Sequence, residues 1–255
     1  KVLLTKNDII KLDPIYYTIP ILNKADLKVL RKVYSNQIRI SDVTNCYTGE
    51  IDLSLDKKYL RESEKYSTLL KGAIIGRYEI RSKMSQGDIM FLDSEEYLIN
   101  NSGARAAHYL RDRIGMQGIT GINEKIRLKM ALIPKGTFLA NSVNYLIMPE
   151  GISQNKTAIL QLNSELHNYI FRLTSTNSNV NGYEVNNLPI IPNPNSSDLL
   201  CTVVDYLILL TKLLKNKTLS ILHSFFDSMS SAITCELYFP EEIKSAGKEI
   251  LKHLG

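Results

Sequence analysis

The sequence predicts an α+β fold: a twisted, mostly antiparallel sheet domain with flanking helices, followed by a helical C-terminal subdomain. Three observations carry this expectation. Short segments between residues 38 and 149 alternate apolar and polar side chains with period two, as half-buried strands do. Segments on either side repeat their apolar residues every three or four positions, the period of an amphipathic helix. A Pro-rich stretch, LPIIPNPNSS at 188–197, divides the strand-like region from a tail that reads as helix to its end. The expected division is a connector at 1–40, a sheet domain at 41–195 and a helical subdomain at 196–255.

The connector opens with TKNDIIKL, where Thr5 or Asn7 can cap a short helix. Prolines punctuate DPIYYTIPIL. A second helix then runs from about Lys24 to Tyr34, with Leu27, Leu30 and Val33 on one side. In the sheet domain RYEIRSK alternates, so Tyr78 and Ile80 point one way while Arg77, Glu79, Arg81 and Lys83 point the other. A helical stretch from Ala104 to Asp112 presents Arg105, His108 and Arg111. RIGMQGIT sets Arg113 and Gln117 on one face, with Ile114 and Met116 opposite. IRLKMALI places Ile126, Leu128, Met130 and Leu132 inside and Arg127 and Lys129 outside. KTAILQLNSELHNYIFRL reads as one amphipathic helix, and an Asn/Ser/Thr-rich loop, TSTNSNVNGYEVNN, leads from it to the Pro-rich boundary. No repeat of 20–50 residues is visible.

With 255 residues, 44% hydrophobic and 22% charged, the chain has an ordinary globular composition and can bury a real core. It begins at Lys1 with no secretion signal and reads as a piece of a longer protein. The most apolar run, Leu199 to Leu214, is interrupted by Asp205 and Lys212 and falls short of the roughly 20 residues that span a bilayer. A buried helix is expected there, and no membrane partner. Cys46, Cys201 and Cys235 are widely spaced, which argues against a disulfide framework or a zinc site and fits a reducing cytoplasm.

The net charge of +5 is modest, so its distribution matters more than its sum. Residues 1–40 carry eight bases against three acids, and residues 196–255 six bases against seven acids. In the sheet domain the bases bunch. Lys71, Arg77, Arg81 and Lys83 face one acid, Glu79; Arg105, Arg111, Arg113, Lys125, Arg127 and Lys129 face only Asp112 and Glu124.

Catalytic patterns are sparse. A methyltransferase acting on adenine needs a short polar–Pro–Pro–aromatic loop and a Gly-rich cofactor loop. The nearest strings, NPNSS at Asn193 and GMQGITG, lack the aromatic and the strand–helix context respectively. Metal-dependent nucleases need an Asp followed by an acidic–x–Lys pair. Asp42 with Asp56 and Lys58 has that spacing, as does Asp227 with Glu242 and Lys244, but so short a pattern arises readily by chance. The four histidines show no ligand spacing. No catalytic, cofactor-binding or metal residue is expected in this chain.

Several strings resemble one family. YSTLLKGAIIGRYEI is similar to the Leu-Leu-Lys-Gly-x-x-Ile-x-Arg-Tyr signature of the TaqI-like C-terminal specificity domain, the target-recognition domain of type II restriction–modification enzymes. AILQLNSELHNYIFRL, followed by LPIIP, looks like that family's Leu-Asn-Ser-x-Leu helix closing onto a Leu-Pro-Ile-Pro strand. The region from Arg113 to Pro149 resembles the strands between them. The first 34 residues resemble the linker that follows the methyltransferase in single-chain type IIG enzymes, and YTGEIDLSLDKKYL and AITCELYFPEEIKSAGKEIL resemble flanking parts of the same proteins. The resemblance covers nearly the whole chain, though each string alone is only moderately specific.

It implies an upstream, adenine-specific, S-adenosylmethionine-dependent methyltransferase in the same polypeptide, often with a magnesium-dependent nuclease. It also implies that this part selects the sequence in double-stranded DNA. Gly72, Tyr78, Leu162, Asn163, Ser164, Leu188 and Pro189 carry the signature and are expected to be mainly architectural. On strand placement, Arg113, Gln117, Asn123, Arg127 and Lys129 are candidates for reading base edges, and Lys71, Arg77, Arg81, Lys83, Arg105 and Arg111 for phosphate. A rival expectation is a protein-interaction module whose basic faces dock an acidic partner or the parent's own catalytic domain.

Overall fold

The computed structural model describes residues 3–35, 38–81, 90–195, 197–213 and 217–254. The fold is α+β. Two helices, α1 (Lys6–Leu12) and α2 (Lys24–Val33), form the connector; Thr5 and Asn23 cap them, each exchanging hydrogen bonds with the Asp three residues on. The sheet region contains β1 (Ile38–Arg39), α3 (Ile40–Val43), β2 (Cys46–Thr48), β3 (Leu60–Arg61), β4 (Ser67–Leu70), β5 (Met90–Leu92) and α4 (Ser94–Asn100). After a 3-10 helix over Ala104–Leu110 come β6 (Arg113–Gln117), β7 (Met130–Ile133), β8 (Phe138–Leu139) and β9 (Val143–Leu146). The chain continues through α5 (Ile152–Leu162), α6 (Glu165–Thr174), α7 (Gly182–Asn186) and β10 (Pro189–Ile190). It ends in α8 (Ser197–Leu213), α9 (Lys217–Tyr238), α10 (Pro240–Ser245) and α11 (Leu251–Leu254).

One four-stranded sheet has the order β2–β9–β6–β7, with every pair antiparallel. A second, β3–β5–β4–β8, is antiparallel except where β4 runs parallel to β8. The strands β1 and β10 pair with each other. The largest core draws on the connector (Leu30, Val33), the first sheet (Ile114, Met130, Leu146), α5 and α6 (Ile159, Phe171) and the tail (Leu200, Ile233). No described helix is long and apolar enough to cross a membrane, and the three cysteines are unpaired.

Three local expectations need correction. RYEIRSK is not a strand over its described part. Residues 76–81 fold back as a turn, with Ile75 bridging Ile80 and Tyr78 at φ +61°, in the left-handed region. The Tyr78 N–H donates to Met130 O at 2.8 Å, and its ring is buried. Lys83 lies outside the described residues. The helix expected from 156 to 173 breaks at Asn163–Ser164, because Ser164 leaves helical geometry and its hydroxyl accepts from His167 N–H to cap α6. The outer polar face expected for β6 does not exist: this strand lies between β7 and β9, and every residue from Arg113 to Gln117 is buried.

Candidate nucleic-acid interface

Two of the signature residues, Tyr78 and Asn163, meet at the edge of β7. The Asn163 side-chain amide donates to Met130 O and accepts from Met130 N–H, both at 3.0 Å, so it pairs with the strand edge as a neighbouring backbone would. Arg77 donates to Asn163 O at 2.6 Å and holds Asp227 of α9 through two hydrogen bonds of 2.6 and 2.8 Å. His167, on the buried face of α6, hydrogen-bonds Pro189 O at 2.9 Å. Gly72 is required by close approach: a Cβ there would lie 2.3 Å from Ser142 O.

Three of the expected base-reading residues are internal anchors. Arg113 is fully buried and pairs with the buried Glu50 carboxylate at 3.0 Å, while its other amino group donates to Thr137 O. Burial lifts the Glu50 pKa, and the attraction of Arg113 opposes that rise. Arg127 is 1% exposed because β7 begins only at Met130; residues 126–129 are not in the strand, and Arg127 turns inward. Its guanidinium donates to Thr120 Oγ1, Ser175 Oγ, Asn177 O and Asn179 O, and it sits 5.0 Å above the Phe171 ring. Neutral oxygens carry all these bonds, and desolvation lowers its pKa. Gln117 is buried as well and donates to Ile75 O at 2.8 Å. None of the three reaches an outer face.

Arg127 lies beneath a feature that strand alternation does not reveal. The stretches 118–120 and 178–180 run antiparallel as a narrow ribbon. Thr120 N–H donates to Ser178 O and Val180 N–H to Gly118 O, each at 2.9 Å, and Ile119 bridges Asn179. Asn144 fixes the ribbon's base by donating to Val180 O at 2.6 Å. Asn123, Lys125, Asn177, Ser178 and Asn179 are exposed around it. A groove of about 270 Å³ brings together Arg77, Glu79, Arg81, Ile126 and Lys129. The structure therefore joins residues expected on two separate faces. Arg81 pairs with Glu79 at 2.9 Å, and Lys129 pairs with Glu124, whose carboxyl it holds below the usual range.

A second basic cluster lies toward the start of β6. Arg105 is exposed and donates to Thr48 O at 2.6 Å, and Arg111 is exposed with a long bond to Met148 O. Between them His108 hydrogen-bonds the Tyr145 hydroxyl at 2.9 Å. Burial, and then Arg113, Arg105 and Arg111, lower its pKa. Lys71 is half-buried near the signature turn. Among the described residues no group of three or more His, Cys, Asp or Glu converges as a metal site. Of the nuclease-like residues, Asp227 is held by Arg77 and Glu242 by Lys32.

No family model matches the chain, and no curated protein matches it. Solved structures do. The chain is similar to the type IIL restriction–modification enzyme MmeI, in complex with DNA, at 14% identity and a TM-score of 0.46, over 84% of this chain and 34% of that one. It is similar to a chain of a type I restriction–modification assembly at 10% identity and 0.43, over 80% and 45%. It is also similar to the HsdS subunit from Thermoanaerobacter tengcongensis at 10% and 0.39, over 80% and 44%. The chain thus spans less than half the length of each.

Proposed function

We propose that this chain recognises a specific sequence in double-stranded DNA and catalyses nothing itself. It supplies target specificity to an adenine-specific, S-adenosylmethionine-dependent methyltransferase upstream in the same cytoplasmic polypeptide, with or without a magnesium-dependent nuclease. Residues 1–40 connect the modules, residues 41–195 bind DNA, and residues 196–255 form a helical subdomain. One observation carries this reading: the signature segments at 69–78, 162–164 and 188–189, remote in sequence, are tied to one neighbourhood around β7, α5 and α6. Phosphate contacts fall to Arg81, Arg105 and Arg111, which are exposed, and to Lys129 beside the ribbon.

The test is salt-dependent binding of the chain to duplex DNA. Log affinity is expected to fall linearly with log salt, by about 0.9 per phosphate neutralised. Absence of binding at low salt, with the fold intact by circular dichroism, favours the interaction-module reading. One observation supports that second role for the tail alone: Tyr206, Leu209, Ile221 and Phe225 are 49, 50, 62 and 60% exposed on a charge-poor helix pair. Such a surface suits protein contact better than phosphate.

A further inference from the structure

We infer that the antiparallel ribbon of residues 118–120 and 178–180, with the turn at 121–124, enters the major groove and reads A·T base pairs through asparagine and isoleucine side chains. The inference rests on the DNA-recognition reading above and gives it a location. A two-stranded ribbon is one of the few protein elements that a B-form major groove admits. This ribbon is paired by two backbone hydrogen bonds and the Ile119–Asn179 bridge.

Its exposed side chains suit adenine and thymine edges. Asn123 and Asn179 are exposed, and neither side chain has a hydrogen bond among the described residues. An asparagine amide can donate to adenine N7 while accepting from N6. Ile119 is 66% exposed and Ile122 47%, an unfavourable placement in water that contact with a thymine methyl group would offset. The ribbon tip therefore carries both kinds of group that distinguish an A·T pair.

The two strands of the ribbon are tied together from beneath. Arg127 bonds Thr120 on one strand and the Asn177 and Asn179 carbonyls on the other. Its positive charge sits beneath a tip whose one acid, Glu124, is already paired with Lys129, which leaves the exposed Asn123 and Asn179 amides uncharged. Lys125 and Arg172 are exposed nearby, and Arg172 is close enough to depress the pKa of Arg127. In this arrangement the buried arginine fixes the reading surface without touching a base.

The experiment selects from a randomised duplex library with the 255-residue chain and with Asn123→Ala, Asn179→Ala and Arg81→Ala variants, each checked for fold by circular dichroism. The wild type is expected to enrich a motif containing A·T pairs. Asn123→Ala and Asn179→Ala are each expected to lose about tenfold of the preference at one A·T position and to keep the rest. Arg81→Ala is expected to weaken all duplexes alike. If the wild type enriches a motif that both asparagine variants retain unchanged, the ribbon is not the reader, while DNA recognition stands. If the wild type retains no duplex, or enriches nothing, the DNA-recognition reading itself fails.

Discussion

Arg113 and Arg127 show what residue chemistry can and cannot say without a fold. Both belong to the basic clustering of the sheet domain, yet the core captures both. Burying a guanidinium demands that nearly every donor find an acceptor. Arg113 meets Glu50 and Thr137 through its two amino groups while its Nε has no partner, and Arg127 bonds four oxygens. Arg113→Ala would strand a buried carboxylate and is expected to cost about 3–5 kcal/mol in urea unfolding. Lys129→Ala, at a partly solvated pair, is expected to cost under about 1 kcal/mol. His167 gives a pH prediction. Burial lowers its folded pKa to about 4 from the ordinary 6.5 of an exposed imidazole. Its neutral form is therefore favoured by folding, and the stability linked to it is complete above pH ~6.5 and declines as pH falls toward 4. His167→Gln is expected to flatten that part of the stability–pH curve, measured by urea unfolding from pH 4 to 7; an unchanged slope would remove His167 as its source.

Elements with local instructions were legible in the sequence. Thr5 announces the first helix, Leu27, Leu30 and Val33 mark the second, and the Pro-rich boundary precedes a helical tail. Elements decided by tertiary contacts were not. The alternation in RYEIRSK mimics a strand, but Tyr78 spends its N–H on Met130 and turns the chain back. The alternation in RIGMQGIT holds, yet both faces of β6 are covered, so its polar positions are internal. Asn163 interrupts an apolar stripe that otherwise continues, because its amide serves the edge of β7. Asn163→Leu would leave the Met130 N–H without its partner and is expected to destabilise the fold by about 1–3 kcal/mol. At the ribbon, Arg127→Ala is expected to speed hydrogen exchange at the Thr120 and Val180 amides while leaving the Ile114 and Leu146 amides protected. Uniform exchange across all four would mean that Arg127 supports the whole sheet rather than the ribbon.

At the scale of the whole molecule, the sheet domain gathers basic residues toward both ends of β6, while α8 and α9 expose the apolar side chains Tyr206, Leu209, Ile221 and Phe225. That division suits a chain that holds phosphate on one side and protein on another. The candidate site was half legible: which residue types cluster could be read from the sequence, but not which of them remain outside. Asn123 was legible as a candidate from its place between two basic strand-like segments, whereas Asn179 lay in a loop whose composition suggested only a connection; the two come together because β6 and α6 deliver 118–120 and 178–180 side by side. Incubation with labelled S-adenosylmethionine and DNA, or with magnesium and plasmid, is expected to give no methyl transfer or cleavage above background. The most direct test of the central claim is the ratio of affinities for a selected duplex and a shuffled duplex of the same composition, measured by fluorescence anisotropy at fixed salt. A ratio of at least about tenfold is expected for this chain, below the ~10³ or more of complete specific binders. Equal affinity for the two duplexes would contradict sequence recognition by this chain.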